Sequence, residues 1–327
     1  MKIRNFPLFL SLSVILLLVP YILDNYYLHL IIIISVYVIL TSSFNLVAGY
    51  TGQLSLAHAA FFGVGGYASA NLVMKMGISF WLALPIAAAV AALLGFLIGY
   101  PSLRVKKHYL VMVTLAFAEI MRLIFNNEVE LTGGPDGIPN IPSPNSFSLG
   151  IWTIDFSSKV AYYYLALIIT LLTLFALFRI VNSSTGRILV SIRENEILSE
   201  SMGINVMKYK LFSFTVGSAF AGIAGSLYAH YISCISPDAF SFMVMTNILI
   251  MTMIGGAGTI LGPVIGSITM TFVSEYLRIL PAFRWIIYGS VLIIIVIFMP
   301  QGIVGALKSF YVTHIRRSLR TLMCLDV

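Results

Sequence analysis

Long apolar runs separated by short polar or basic breaks dominate this chain, and they set its elements. A helix that spans a membrane needs about 20 mostly apolar residues. Runs of that kind fall near residues 6–23, 28–48, 54–73, 80–100, 108–127, 160–181, 211–232, 242–261, 262–279 and 284–304. The pattern predicts about ten spans in an all-α, polytopic transmembrane helical bundle, with residues 1–327 forming a single membrane domain. Two places depart from plain spans. Residues 54–73 are interrupted by Gly63, Gly65 and Gly66, and 242–261 runs into 262–279 with almost no break. Either place reads as full spans or as a re-entrant or broken helix, which survives at membrane depth only where protein or water covers its backbone. The first run follows Lys2 and Arg4 as a signal peptide would. It is about 18 residues long, however, and no small-x-small cleavage site precedes Asp24, so it reads as an uncleaved first span.

Composition removes the soluble alternatives. The 327 residues are 59% hydrophobic and 9% charged, with a mean hydropathy of +0.99. Soluble domains are nearer half apolar and a quarter charged, so this chain lacks the polar surface to cover itself in water. Disorder is excluded by the same figures. The net charge of +7 raises the question of nucleic acid, which the distribution answers. With the N-terminus inside, one side holds Lys2, Arg4, Arg104, Lys106, Lys107, Arg179, Arg187, Arg193, Lys208, Lys210, Lys308, Arg316, Arg317 and Arg320. The other holds only Lys75, Lys159, Arg278 and Arg284. Lysine and arginine concentrate in cytoplasmic loops, so both termini are expected in the cytoplasm and no nucleic-acid partner is implied. Cys234 and Cys324 fall on opposite sides in this arrangement and cannot pair.

Two connections are long. Residues 128–159 face outside and hold the turn Thr132-Gly133-Gly134-Pro135-Asp136-Gly137, which is either a simple reversal or the landing place of a soluble protein that delivers substrate. Residues 182–210 face the cytoplasm and read as an amphipathic helix. Ser184 or Thr185 would cap its start, Ile188, Leu189 and Ile192 share one face, and Gly203 stands where a left-handed cap ends a helix. Its polar positions carry Arg187, Arg193, Glu194, Glu196 and Glu200. That segment either lies on the headgroups or docks into a cytoplasmic partner, and its acidic residues disfavour an anionic lipid surface.

Inside the spans, ionisable residues are few: His58, Glu119, Arg122 and His230. A charge at the bilayer centre costs roughly 2.5–3.5 kcal/mol on insertion scales, so such groups face the bundle or a cavity. Glu119 and Arg122 are three residues apart, near enough to pair on one helix face. They serve either as an internal staple or as the lining of a solute path. Gln53, Ser55 and His58 open the third span among small residues and are candidates for the same path, with helix–helix hydrogen bonding as the plainer role. No second ligand stands near His58, so no metal site is expected. No phosphate-binding G-x-x-x-x-G-K-[ST] run, nucleophile elbow, H-E-x-x-H or haem-attachment pattern occurs, so neither enzyme chemistry nor a cofactor is expected. Glu119 is the only carboxylate well inside a span, too few for a proton relay.

These motifs carry a family resemblance. The runs NLVAGYTGQLSLAHAAFFGVGGYASA (45–70), YLVMVTLAFAEIMRLIFNN (109–127), LTGGPDGI (131–138), GRILVSIRENEILSESMGINVMKYK (186–210), AGIAGSLYAHYISCISPDAF (221–240) and IGGAGTILGPVIG (254–266) together resemble the permease subunits of bacterial ABC importers for branched-chain amino acids. The TGGPDGI loop and the extended cytoplasmic segment are similar to the longer of the two permease types. The resemblance implies a path formed with a second, paralogous permease subunit in the bacterial inner membrane. It also implies two cytoplasmic ATPase subunits and an extracytoplasmic substrate-binding protein. Residues 187–203 would be the coupling helix that seats in the ATPase, although Leu198 and Ser199 stand where the family more often has alanine. Relatives move urea, short amides or other amino acids. A self-sufficient secondary transporter is the alternative from another class.

Overall fold

A computed structural model describes residues 19–20, 23–105, 107–149, 152–279, 289–290 and 302–305. The chain forms α1 (Asn25–Asn45), continued by a π-helical turn (Leu46–Tyr50), then α2 (His58–Met74), α3 (Phe80–Ser102), α4 (Lys107–Asn127) and the short α5 (Val129–Thr132). A small antiparallel hairpin follows, β1 (Phe147–Leu149) with β2 (Trp152–Ile154). The rest comprises α6 (Lys159–Val181), α7 (Ser184–Glu194), α8 (Glu196–Ser201), α9 (Val206–Ile232), α10 (Phe242–Gly255) and α11 (Gly262–Tyr276). The bundle is helical as expected, and the hairpin is an addition that the apolar pattern did not reveal.

Among the described residues, six helices are long and apolar enough to cross a membrane: Asn25–Tyr50, Phe80–Ser102, His108–Asn127, Lys159–Val181, Val206–Ile232 and Pro237–Gly255. The expectation of ten spans is met only in part. The runs 6–23 and 284–304 lie almost wholly outside the described residues. Two others form helices short of a full crossing. α2 has 17 residues and α11 has 15, or about 26 and 22 Å at 1.5 Å per residue, against a hydrocarbon core of about 30 Å.

The glycines of 54–73 do not break the helix; they let it pack. A Cβ at Gly65 would overlap the Gly222 backbone of α9, and a Cβ at Gly225 would overlap the Phe62 carbonyl of α2. On the third side, a Cβ at Gly222 would lie 2.6 Å from the Ala91 Cβ of α3. Three helices thus touch backbone to backbone, the close approach that small residues permit where lipid supplies no hydrophobic drive. α1 and α9 occupy the centre, and the main core runs from Ile32, Ile39 and Phe44 through Phe61 and Phe62 to Phe214 and Leu227.

At the other place left open, between 242–261 and 262–279, the helix is interrupted. α10 stops at Gly255 and α11 starts at Gly262, leaving a six-residue tip in which Gly256 (φ 118°) and Gly258 (φ 76°) take conformations that side chains resist. The two arms close tightly, since a Cβ at Gly266 would overlap the Met251 carbonyl. The hairpin joins the main core through Met245 and Ile248 and forms a second small cluster of Ile250, Met251, Ile254 and Met270, against which Tyr37 of α1 packs.

The contacts define two ends. At one, Tyr26 Oη donates to Glu275 Oε1 (2.5 Å), His29 Nδ1 meets Tyr231 Oη (2.7 Å), and Ile138 bridges Ile235. At the opposite end lie the π-turn, the tip 256–261 and the pair α7–α8, which share contacts described below.

Candidate functional site

Three groups of candidate residues occupy three different places. Glu119 and Arg122 lie near the middle of α4, the most amphipathic of the six long helices. Arg122 donates from Nε to both carboxylate oxygens (3.0 Å each) and from Nη2 to Oε1 (2.5 Å). The pair is satisfied yet uncovered, with 34% of the Arg122 side chain and 49% of the Glu119 side chain exposed. They line one wall of a shallow groove whose other walls are Leu56 and Ala59 from the start of α2 and Phe240, Phe242 and Met245 around the start of α10. An uncovered ion pair at mid-helix is costly against lipid, so this face is suited to water or to another protein surface.

Gln53, Ser55 and His58 do not join it. All three are buried, and His58 reaches α1. The Ser43 hydroxyl donates to the Leu40 carbonyl (2.8 Å), so His58 Nε2–H donates to Ser43 Oγ (2.8 Å). Ser55 Oγ accepts from the Ala57 amide (3.3 Å), while the Gln53 amide nitrogen is buried without a partner. His58 thus braces α1 against α2, while Ser55 stabilises the turn that leads into α2. Residues 56 and 59, offset from them around the chain, are the ones that reach the groove.

The segment 182–210 folds as two helices rather than one. Ser183, not Ser184 or Thr185, caps α7 by accepting from the Gly186 amide (3.4 Å). At Asn195 the backbone turns extended (φ −154°, ψ 107°), and its side chain caps α8 by accepting from the Leu198 amide (3.0 Å). An asparagine favours a cap over a helix interior, which is why the amphipathic pattern divides there. Leu189 and Ile192 are fully buried as their spacing implied, and Gly203 takes the left-handed conformation (φ 82°) expected past a helix end. Lys210, itself buried, pairs with Glu196 at 2.5 Å, and Ser191 Oγ lies 2.6 Å from Ser199 Oγ, so α8 is held to both α7 and α9. Arg187, Glu194 and Glu200 are exposed, while Arg193 turns inward and donates from Nη1 to the Gly49 carbonyl (2.7 Å). The charged pattern concealed a further feature. Ile197 and Leu198 on α8 and Met202 just past its end are 78%, 59% and 74% exposed, an apolar knob on a short helix that buries almost none of it.

At the other end, the Thr132–Gly137 turn is pinned rather than loose. The Thr132 hydroxyl lies 2.6 Å from both the Phe125 and Glu128 carbonyls, and Gly133 (φ 75°) and Gly137 (φ 73°) allow the chain to cross itself. Gly134 is buried, and Pro135 and Asp136 are left exposed at the crest. Beyond it, the Ile138 and Ile141 amides donate to Ile235 and Ser233 (2.9 Å each). His230 Nδ1–H donates to the Pro142 carbonyl (2.7 Å), so its Nε2 accepts from Ser69, which accepts from Ser226. Asp155 holds the Ser157 amide (3.0 Å) and hydroxyl (2.7 Å), and these two bonds keep its carboxyl below the usual carboxylate range. A cleft of about 430 Å³ opens beside this loop, lined by His29, Ser143, Lys159, Tyr162 and Tyr231 among others. No cluster of metal-binding side chains occurs among the described residues.

Residues 26–299 match the protein family described as "Branched-chain amino acid transport system / permease component". The chain is 35% identical over 286 residues to the high-affinity branched-chain amino acid transport system permease protein LivM of Escherichia coli K12, covering 82% of this chain and 67% of that one. It is 28% identical to a probable LivM permease of Methanocaldococcus jannaschii, covering 75% and 77% of the two chains. It is also 26% identical to the Escherichia coli K12 permease LivH, covering 83% and 92%. No solved structure matches the chain. With six helices of membrane length, these relationships make it a multi-pass membrane protein.

Proposed function

Since this chain belongs to the family of branched-chain amino acid transport permeases, we propose that it forms half of the translocation path of an ATP-driven importer. The observation that carries this is the uncovered Glu119–Arg122 pair at the middle of α4. A single chain with such a face is incomplete in lipid, and a second permease laid against the groove would cover the pair. Identity to both LivM and LivH relatives favours a paralogue over a second copy as that partner. Leu56 and Phe242 give the ion pair apolar neighbours, and a passage for aliphatic side chains beside it would be completed by the partner permease. Gln53, Ser55 and His58 stay buried behind the groove, and His58 acts there as a brace.

The end carrying α7 and α8 is the cytoplasmic one in this reading, and ten spans place both termini there, in a bacterial inner membrane. ATPase subunits then dock on α8. The knob of Ile197, Leu198 and Met202 enters an apolar groove, while Arg187, Glu194 and Glu200 surround it with charge that sets orientation. Glu196 and Arg193 face inward and serve coupling through the fold, and Gly203 permits the turn back into α9. At the outside end, the crest of Pro135 and Asp136 beside the cleft of about 430 Å³ is where a substrate-binding protein lands, with Thr132, Gly133, Gly134 and Gly137 holding the crest in shape.

The test is uptake by the reconstituted complex of this chain, its partner permease, the ATPases and the binding protein, offered leucine, isoleucine, valine and urea. ATP-dependent uptake of the branched-chain amino acids that survives an uncoupler is expected. Uptake that collapses with the proton gradient at constant ATP refutes the reading. Preference for urea moves the chain to another cargo within the same machine.

A further inference from the structure

We infer that Arg193 is the positioning residue that carries movement of α7–α8 to the tip of the α10–α11 hairpin. The inference rests on the permease reading above and adds the route inside the chain. Arg193 stands in the last turn of α7, two residues before the break at Asn195. Its stem lies over Gly52, where a Cβ would come within 2.8 Å of its Cγ. Its guanidinium then divides. Nε and Nη2 hold Glu194 Oε1 at 3.1 and 2.7 Å, while Nη1 donates to the Gly49 carbonyl at 2.7 Å. The same Nη1 lies against the tip, only 2.5 Å from where a Cβ on Gly258 would sit.

The route continues through one side chain. Asn45 Oδ1 accepts from the Gly258 amide and Asn45 Nδ2 donates to the Thr259 carbonyl, both at 2.8 Å. Arg193 therefore touches the π-turn through Gly49 and the tip through Gly258, while Asn45 joins turn and tip behind it. Glycine at 49, 52 and 258 is what leaves room for a guanidinium at this crossing. The planar fork suits Arg193 to hold partners on two edges at once, which a lysine ammonium does not do. The start of α10 is anchored in the main core through Met245 and Ile248, whereas its second half packs with α11 in the small cluster of Ile250, Met251, Ile254 and Met270 and leads to tip glycines in unusual conformations, so the tip is the part of the hairpin able to shift against the rest.

The experiment measures ATP hydrolysis and solute uptake on the same proteoliposomes containing the whole complex. Arg193→Ala is expected to keep hydrolysis within about twofold of the unaltered complex and to lower uptake per ATP about tenfold or more, within the usual range of inter-site coupling. Arg193→Lys keeps a donor for Gly49 but not the fork, and its uptake per ATP falls between the two. An unchanged ratio of uptake to hydrolysis in Arg193→Ala overturns the inference. ATP-independent uptake by the unaltered complex overturns the permease reading instead. Hydrogen exchange on the purified chain gives a readout free of the ATPase. Arg193→Ala, or Arg193→Lys if the alanine form does not fold, is expected to speed exchange in residues 256–261 and to leave residues 62–66 unchanged. Equal exchange at the tip refutes the contact.

Discussion

Asn45→Ala is the sharpest perturbation of the membrane part of this fold. Asn45 is 2% exposed and makes two 2.8 Å bonds to the backbone of the tip. Removing it orphans one N–H and one carbonyl, each at about 1–3 kcal/mol when buried. Gly258 and Thr259 are only partly buried, which lets water recover part of the loss and brings the expected cost to about 2–4 kcal/mol. A second substitution makes the reasoning specific. A Cβ at Gly49 would overlap Asn45 Oδ1 and lie 2.5 Å from the Gly258 nitrogen, so Gly49→Ala costs about 1–3 kcal/mol by overpacking. With Asn45 already alanine, the first of these clashes vanishes and only the second remains. The double variant is therefore expected to be more stable than the sum of the singles by about 1 kcal/mol, a coupling typical of residues in contact. The assay is reversible unfolding in mixed micelles, titrated with denaturing detergent and followed by far-ultraviolet circular dichroism for all four proteins. Additive costs, or an Asn45→Ala cost below about 0.5 kcal/mol, refute the clamp.

Three further perturbations separate packing, docking and pairing. Gly65→Val forces α2 away from α9 by about 1 Å to restore ordinary contact, which stretches the 2.9 Å Ser69–His230 bond beyond bonding distance; unfolding measured as above is expected to show a loss of about 2–4 kcal/mol. Ile197→Glu with Leu198→Glu is expected to abolish co-purification of the ATPase subunits while leaving the unfolding midpoint of the chain alone unchanged, since both side chains already face water. Glu119→Gln is expected to change the stability of the isolated chain by about 0–1 kcal/mol, because the pair is exposed, yet to lower recovery of the paired permeases in pull-down.

The apolar pattern read most of the bundle correctly because span length is a local property of the chain. Helices 80–102 and 159–181 begin and end within two residues of the expected limits. The cap at Gly203 was equally legible, as positive φ follows from a residue type. What escaped were features whose partners are far off in sequence. Asn45 looks like a polar residue at a span end, and its partner Gly258 is 213 residues away. The glycines of α2 read as possible interruptions because the pattern records that a side chain is missing and not what occupies its place. Gln53, Ser55 and His58 suit either a path lining or helix–helix bonding by residue type, and the direction of their side chains depends on the irregular stretch 51–57. In α8 the signal was present: Ile197, Leu198 and Met202 lie within six residues on and just past a helix too short to bury them.

The distribution of contacts decides which part of this protein can move. α2, α3 and α9 meet backbone against backbone at Gly65, Gly222 and Gly225, where a displacement of about 1 Å opens a void along the seam and forfeits much of the close-range attraction. The α10–α11 hairpin is held otherwise. Met245 and Ile248 tie the start of α10 into the main core, but Ile250, Met251, Ile254 and Met270 form a second cluster that touches α1 through Tyr37, and the hydrogen bonds to α1 are at discrete points: Tyr26 to Glu275, Thr41 to Ser267 at 2.8 Å, and Asn45 to the tip. Discrete polar bonds can exchange for others at small net cost, whereas a close-packed seam resists gradual deformation. In the coupling proposed above, the tip of the hairpin would shift against a wedge of α2, α3 and α9 that stays fixed. The end of the hairpin that Arg193 touches is the one next to α7–α8, where an external motor's movement would arrive. Glu119 and Arg122, the only uncovered ion pair in the middle of a long helix among the described residues, stand across the groove from the start of α10 at Phe242 and Met245. Because Met245 belongs to the main core, the proposed movement would change the width of this groove only if α10 shifts along its whole length.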